Sequence, residues 1–187
     1  VTDTVDFSGH FLMAMPGLVG DDFAGALIYV CEHSERGALG LVINRPIDLT
    51  LASLLEKVEM PVQAQGPTAM PVFFGGPVQT DRGFVLHHPV GDYSSSIHLN
   101  DSMALTTSRD VLQALASGAG PEQFLVTLGY AGWGAGQLEH EIAQNSWLTV
   151  LASPSVIFGT PPEERYPAAM KLLGIDPAML AGTAGHA

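Results

Sequence analysis

Apolar residues along the chain come in short runs separated by Gly, Pro and polar clusters, a pattern that predicts short strands and short helices rather than long helices. A polar stretch runs to about Ser8, His10 to Met15 reads as a strand ending at Pro16-Gly17, and Gly20-Asp21-Asp22 marks a loop. Ala26 to His33 and Ala38 to Asn44 are rich in Leu, Ile and Val and flank Ser34-Glu35-Arg36-Gly37, which supplies turn residues and a glycine for positive φ. A β-hairpin follows from this arrangement, with Pro46 stopping its second strand. Thr50 then stands as N-cap before Leu51, Leu54, Leu55 and Val58, which fall at helical spacing.

Pro61 to Pro71 lacks periodicity and reads as a surface loop. Val72 to Gly75, Gly83 to His88 and Ser95 to Leu99 are expected strands, broken by Gly75-Gly76-Pro77 and His88-Pro89-Val90-Gly91-Asp92. Thr107 or Ser108 can cap a helix whose Val111, Leu112, Leu115 and Ala116 make an apolar stripe, with Gly118 near its end. Phe124 to Leu128, Trp147 to Ala152 and Val156 to Phe158 read as strands, and Glu163 to Leu173 as a final helix ending near Gly174. Two or three strands follow one another before a helix intervenes, which favours α+β over a doubly wound sheet. Glycine-rich strands suit bulges and bends, so the expected architecture is a strongly bent or barrel-like mixed β-sheet flanked by helices. A chain of 187 residues suits one compact domain, or two small interlocked lobes. The expected boundaries are a flexible N-terminal tail at 1–8, one domain at 9–181 and a C-terminal tail at 182–187.

The stretch Gly129 to Leu148, GYAGWGAGQLEHEIAQNSWL, holds both tryptophans of the chain and four glycines between an apolar strand and a polar helical segment. This signature, together with GHFLMAMPGL, IYVCEHSERGALGLVINRP, and the pair GGPV and RGFVLH, resembles the AlgH/YqgE family of bacterial proteins from about Gly9 to Gly174. The resemblance implies a single-domain α+β fold, a cytoplasmic location, and a label of transcriptional regulator to which no reaction is attached. Its motif residues carry over onto Pro16, Cys31, Glu32, His33, Gly40, Asn44, Arg45, Pro46, Gly75, Gly76, Pro77, Gly129, Tyr130, Gly132, Trp133, Gly136, Gln137, Glu139 and Trp147. Ala24-Gly25-Ala26 and Tyr166 depart from the family pattern, the first being smaller than usual and the second standing where Trp is common.

Charge narrows the function. Seven Lys plus Arg stand against 19 Asp plus Glu, a formal charge of −12, and the cations are scattered. DNA binders neutralise several phosphates with clustered cations, so direct nucleic-acid binding and attachment to an anionic membrane are both disfavoured. Cys31 is the single cysteine, which excludes an intramolecular disulfide and fits a reducing cytoplasm.

Cys31 and His33, two apart on a predicted strand, point to one face with Glu32 on the other, and a thiol beside a histidine can become nucleophilic. They are the candidate catalytic pair, set against a buried Cys31 and a turn-capping His33. The glycines at 129, 132, 134 and 136 lie where backbone N–H groups can cradle an anion, but they match neither the dinucleotide nor the P-loop pattern. Glu139 and Glu141, two apart on a helix, diverge by about 200° and cannot serve one substrate as acid and base. His140-Glu141-Ile142-Ala143-Gln144 lacks the second histidine of a zinc hydrolase. His87, His88 and His98 read as turn or surface residues, and Ser94-Ser95-Ser96 have no evident base. No metal or cofactor is expected. The candidate binding residues are Glu32, Asn44, Arg45, Gly76, Tyr130, Trp133, Gln137, Glu139 and Asn145. The leading expectation is a non-enzymatic protein that binds an unidentified small ligand or protein partner; the alternatives are a thiol enzyme or redox sensor, and a structural subunit of an assembly.

Overall fold

In the computed structural model of the chain, residues 5–17, 20, 23–63 and 69–175 are described. The expected loop at Asp21-Asp22, the middle of the 61–71 connection, the first four residues of the expected N-terminal tail and the C-terminal tail lie outside them. The chain divides into two compact units, one made of Val1–Asn44 with Gly132–Ala187 and the other of Arg45–Ala131. The class is α+β.

The first unit contains β1 (His10–Ala14), β2 (Leu27–Ser34), β3 (Gly37–Val42) and β10 (Trp147–Leu151), together with α3 (Gln137–Ala143), α4 (Pro154–Gly159) and α5 (Pro162–Leu172). β1 runs antiparallel between β10 and β2, and β2 antiparallel to β3. Phe11 to Ala14 and Leu27 to Cys31 are buried on both faces, which is why they read as unbroken apolar runs rather than alternating ones. α5 packs on β1 and β2, and α3 on β3 and β10. The Arg165 guanidinium of α5 is buried and donates to the carbonyls of Ile43 and Thr160, and Tyr166 donates to the Ala14 carbonyl at 2.6 Å. Burial lowers the Arg165 pKa to about 10. The aromatic at 166 thus fixes α5 to β1 through its hydroxyl.

The second unit holds β4 (Pro46–Thr50), α1 (Leu51–Lys57), β5 (Pro71–Phe74), β6 (Val78–His88), β7 (Ser96–His98), β8 (Ala104–Thr106), α2 (Arg109–Ser117) and most of β9 (Gln123–Gly134). Its strand order is β4-β5-β9-β6-β8-β7, with β5 and β9 parallel and the other pairs antiparallel. Register breaks within β4 and β6 bend these strands. Leu51 and Leu55 of α1, and Val111 and Leu115 of α2, close its core over Val72, Val85 and Val126. Thr50 accepts from the Ser53 N–H as the expected cap of α1, and Gly118 ends α2 in the left-handed conformation. The glycines at the Gly75-Gly76 corner let two backbones meet: a Cβ on Gly76 would lie 2.1 Å from the Tyr130 carbonyl carbon, and one on Gly129 2.3 Å from the Gly76 oxygen.

Three expectations are corrected. Pro46 does not merely end a strand but begins β4, because a first strand position does not need its N–H. Val156 to Phe158 lies in helix α4, where Ser153-Pro154 places proline at the first helical turn. The stretch from Gly129 to Gly134 is not a loop but the continuation of β9. β8 was not anticipated at all, being three residues long.

Candidate functional site

The hairpin β2–β3, Trp133 at the end of β9 and the signature helix α3 belong to the same unit, and the hairpin makes one contact with Trp133 and another with α3. One is packing at Gly40, where a Cβ would come within 3.3 Å of the Trp133 ring and 2.6 Å of the Ile28 side chain, so the glycine lets both pack closely against the strand. The other is polar. His33 sits near the hairpin turn with its side chain 3% exposed, and its Nε2 lies 3.0 Å from Glu139 Oε1. On the opposite edge of the ring, the Phe7 N–H donates to Nδ1 at 3.0 Å. Nδ1 is therefore an acceptor, and the neutral ring carries its proton on Nε2, facing Glu139. The approach is close without being well aligned, since neither His33 Nε2 nor Glu139 Oε1 meets hydrogen-bond geometry with any group. The His33 ring nevertheless holds the Glu139 carboxyl below the usual carboxylate range.

Cys31 falls at a β-bulge, where the register steps from Val30↔Gly40 to Glu32↔Leu39; across it Cys31 is buried, Glu32 exposed and the His33 side chain 3% exposed. The thiol is buried, its Sγ 3.9 Å from the Tyr29 carbonyl, and burial pushes its pKa far up with Glu32 adding to the shift. A thiolate nucleophile needs the opposite environment. Glu32 itself is exposed.

Within α3 the two acidic side chains part company, as the helical spacing requires. Glu139 turns to the hairpin. Glu141 Oε1 accepts from both indoles of the chain, Trp133 Nε1 at 3.1 Å and Trp147 Nε1 at 2.9 Å, while its Oε2 accepts from Gln137 at 3.0 Å. Gln137 Oε1 in turn accepts from the Gly134 N–H at 2.9 Å. The two indoles meet edge-on at 6.1 Å, and Phe23 stands edge-on to Trp147. Glu141 is the residue that the sequence reading left out of its candidates, although its i, i+4 relation to Gln137 on a helix beside both tryptophans was a usable signal.

The remaining candidates are placed as follows. Asn44 accepts from the Leu27 N–H at 2.9 Å and donates to the Gly25 carbonyl at 3.0 Å, locking the entry to β2. Asn145 is exposed just after α3 with φ of 62°. Arg45, Gly76 and Tyr130 belong to the second unit, where the Arg45 carbonyl accepts from the Phe74 N–H and Tyr130 stands edge-on to Phe84. In the same unit, His87 is fully buried: Nδ1 donates to the Pro89 carbonyl at 2.9 Å, so Nε2 accepts from Thr106 at 2.7 Å, and Ser96 completes the chain at 2.7 Å. Burial lowers its pKa. Ser96 thus does connect to a histidine, through Thr106. Among the described residues no group of three or more His, Cys, Asp or Glu is placed to hold a metal ion. A depression of about 330 Å³ in the second unit, lined by Met60, Val62 and Gln113 among others, contains none of the candidates.

Known proteins repeat this combination of sequence and fold. A family model described as AlgH-like matches residues 11–178. The chain belongs to the AlgH-like family. It is similar to a UPF0301 protein of Bordetella avium, 72% identical over 183 residues, which span 97% of this chain and 92% of that one. The solution structure of the AlgH protein from Pseudomonas aeruginosa matches at a TM-score of 0.81 and 47% identity, covering 100% of this chain and 99% of that one. The crystal structure of protein DIP2367 from Corynebacterium diphtheriae shares the fold at a TM-score of 0.67 and 20% identity, covering 91% of this chain and 89% of that one. The AlgH-like fold is therefore the one on which the hairpin and the signature helix are mounted. Among the described residues, no helix is long and apolar enough to cross a membrane.

Proposed function

We propose that this AlgH-like protein is a cytoplasmic, non-enzymatic binding module. It engages a neutral or cationic partner, a small ligand or a protein, at the face where hairpin β2–β3 meets α3, and its influence on gene expression is indirect. The observation that carries this reading is that the reactive groups of that face are committed to one another. His33 has both ring nitrogens facing partners, the Cys31 thiol is buried and hard to ionise, and the Glu141 carboxylate receives three donors. Around this fixed framework, Glu32, Glu35, Arg36, Gly134 and Gln137 are exposed, a mixed polar rim of the kind used for recognition. The charge of −12 argues against DNA as the partner.

The test is photo-crosslinking in cells from a probe placed at Glu35, compared in backgrounds that separate the classes. A discrete crosslink that survives Cys31→Ser and is lost with Glu139→Arg supports the module. Loss with Cys31→Ser instead, or tight salt-sensitive DNA binding in a fluorescence titration, overturns it.

A further inference from the structure

The segment ahead of β1 lies against the proposed face, with Phe7 half-buried on His33 and His10. Gly9 is the first residue to join the sheet, through its N–H to the Val30 carbonyl at 2.8 Å. Ahead of it, Val5 and Asp6 are exposed, and the Asp6 side chain is 68% accessible. Asp6 accepts from the Ser8 N–H at 2.8 Å and the Phe7 carbonyl from the His10 N–H at 3.0 Å, so the segment enters β1 through a local turn. With the Asp6 carboxylate 3.9 Å from the His33 imidazole, Phe7 makes the hydrogen bond of this segment to the hairpin. Its N–H fills the Nδ1 acceptor of His33, its ring lies 5.5 Å from the His33 ring, and its other side meets His10 edge-on at 5.8 Å. The backbone N–H and the aromatic ring of one residue at the head of a turn are thus read together by one imidazole, whose far side is set by Glu139.

We propose that this seat is a docking position for a short turn-forming peptide bearing an aromatic residue, and that Val5–Ser8 is its built-in competitor, a strap that must leave before a partner can enter. The inference deepens the binding-module reading by naming the partner's chemistry, and it rests on that reading for its biological use. The chemistry is set by the present occupant. The seat offers one acceptor to a backbone N–H and a flat surface between His33 and His10 to a ring, and among the described residues the strap gives the hairpin a single hydrogen bond, from Phe7, with the exposed Asp6 beside it. Asp6 Oδ1 stands 3.9 Å from His33 Nδ1, so the occupant tolerates an acidic neighbour before the aromatic.

The experiment is a diethyl pyrocarbonate footprint of His33 on the full chain, read by mass spectrometry. With Phe7 in place the ring should be protected; Phe7→Ala should raise its labelling rate about tenfold or more, since both the hydrogen-bond position and the ring cover are weakened. Phe7→Tyr should restore protection. Continued inertness of Cys31 towards a thiol reagent in the same samples shows that the protein is still folded. A synthetic peptide copying Val5 to His10, in millimolar excess, should return the Phe7→Ala rate towards the parental one, whereas the same peptide with Ala at the Phe7 position should not. Unchanged labelling in Phe7→Ala overturns the strap. Labelling that rises but ignores both peptides overturns the peptide seat. Neither result bears on whether a crosslink forms at Glu35, so failure here is distinguishable from failure of the binding module itself.

Discussion

Replacing Glu141 tests the framework of the candidate face, because that carboxylate is the common acceptor for two indoles that are 7% and 2% exposed at Trp133 and Trp147. Glu141→Ala leaves both N–H donors without their acceptor, and a buried donor left unmade costs about 1–3 kcal/mol, so two set a ceiling of about 6 kcal/mol. Glu141 is half-buried, and water entering the space vacated by its side chain re-solvates part of the deficit, bringing the expected loss to about 2–3 kcal/mol. Glu141→Gln keeps an oxygen for the indoles but sets an amide N–H₂ against the donating Gln137 amide, which predicts a smaller loss of about 1 kcal/mol. Urea unfolding followed by tryptophan emission is the direct assay, since the only two tryptophans of the chain are the two indoles in question. Equal m-values across the variants would show that the comparison concerns stability alone. Should Glu141→Ala unfold within about 0.5 kcal/mol of the parent, less than one unmade donor, the bridging role is refuted.

Gly76→Ala drives a Cβ to within 2.1 Å of the Tyr130 carbonyl carbon at a φ of 153°, and should cost about 3 kcal/mol or more or abolish soluble expression. Gly83→Ala, where a Cβ meets nothing within 4 Å, should change the melting temperature little, and parity of the two variants would refute the close approach. Native Cys31 should resist a disulfide reagent at pH 8 and react fully once the protein is unfolded in urea, because burial disfavours its thiolate; rapid reaction of the native protein would contradict this. Burial holds the folded pKa of His87 below the ordinary 6.5, so its contribution to stability is complete above about pH 6.5 and is lost as pH falls through the folded value. NMR titration of the His87 ring checks the sign, and a midpoint at or above 6.5 refutes it.

The elements that could be read from sequence are those whose signals are local. The hairpin follows from its apolar runs and its Glu35-Arg36-Gly37 turn, and α1 and α2 from Thr50 and Ser108 ahead of an apolar stripe and, for α2, Gly118 after it. What escaped the sequence was set by distant partners. Gly129, Gly132 and Gly134 look like loop residues, yet they lie in β9, and Gly129 is needed there because the Gly76 backbone crosses against it. The apolar triad Val156-Ile157-Phe158 imitates a buried strand, and only the preceding Ser153-Pro154 points to a helix start. For the site, the identity of the special residues was legible and their partnerships were not. Strand alternation could place Cys31 and His33 relative to Glu32, but not show that the neighbour of the His33 ring is Glu139, far along the chain.

The first unit is assembled from two lengths of chain that flank the whole of the second, and β1 finds its partner β10 only after β2 to β9 have been laid down. On a ribosome, Phe11 and Met13 must therefore wait in company with β2 and β3 while the contiguous second unit is completed, since residues 147–151 emerge only after it. The sheet edge that β10 will occupy stays open during synthesis, a period in which a chaperone, or an unwanted strand from another nascent chain, has access to it.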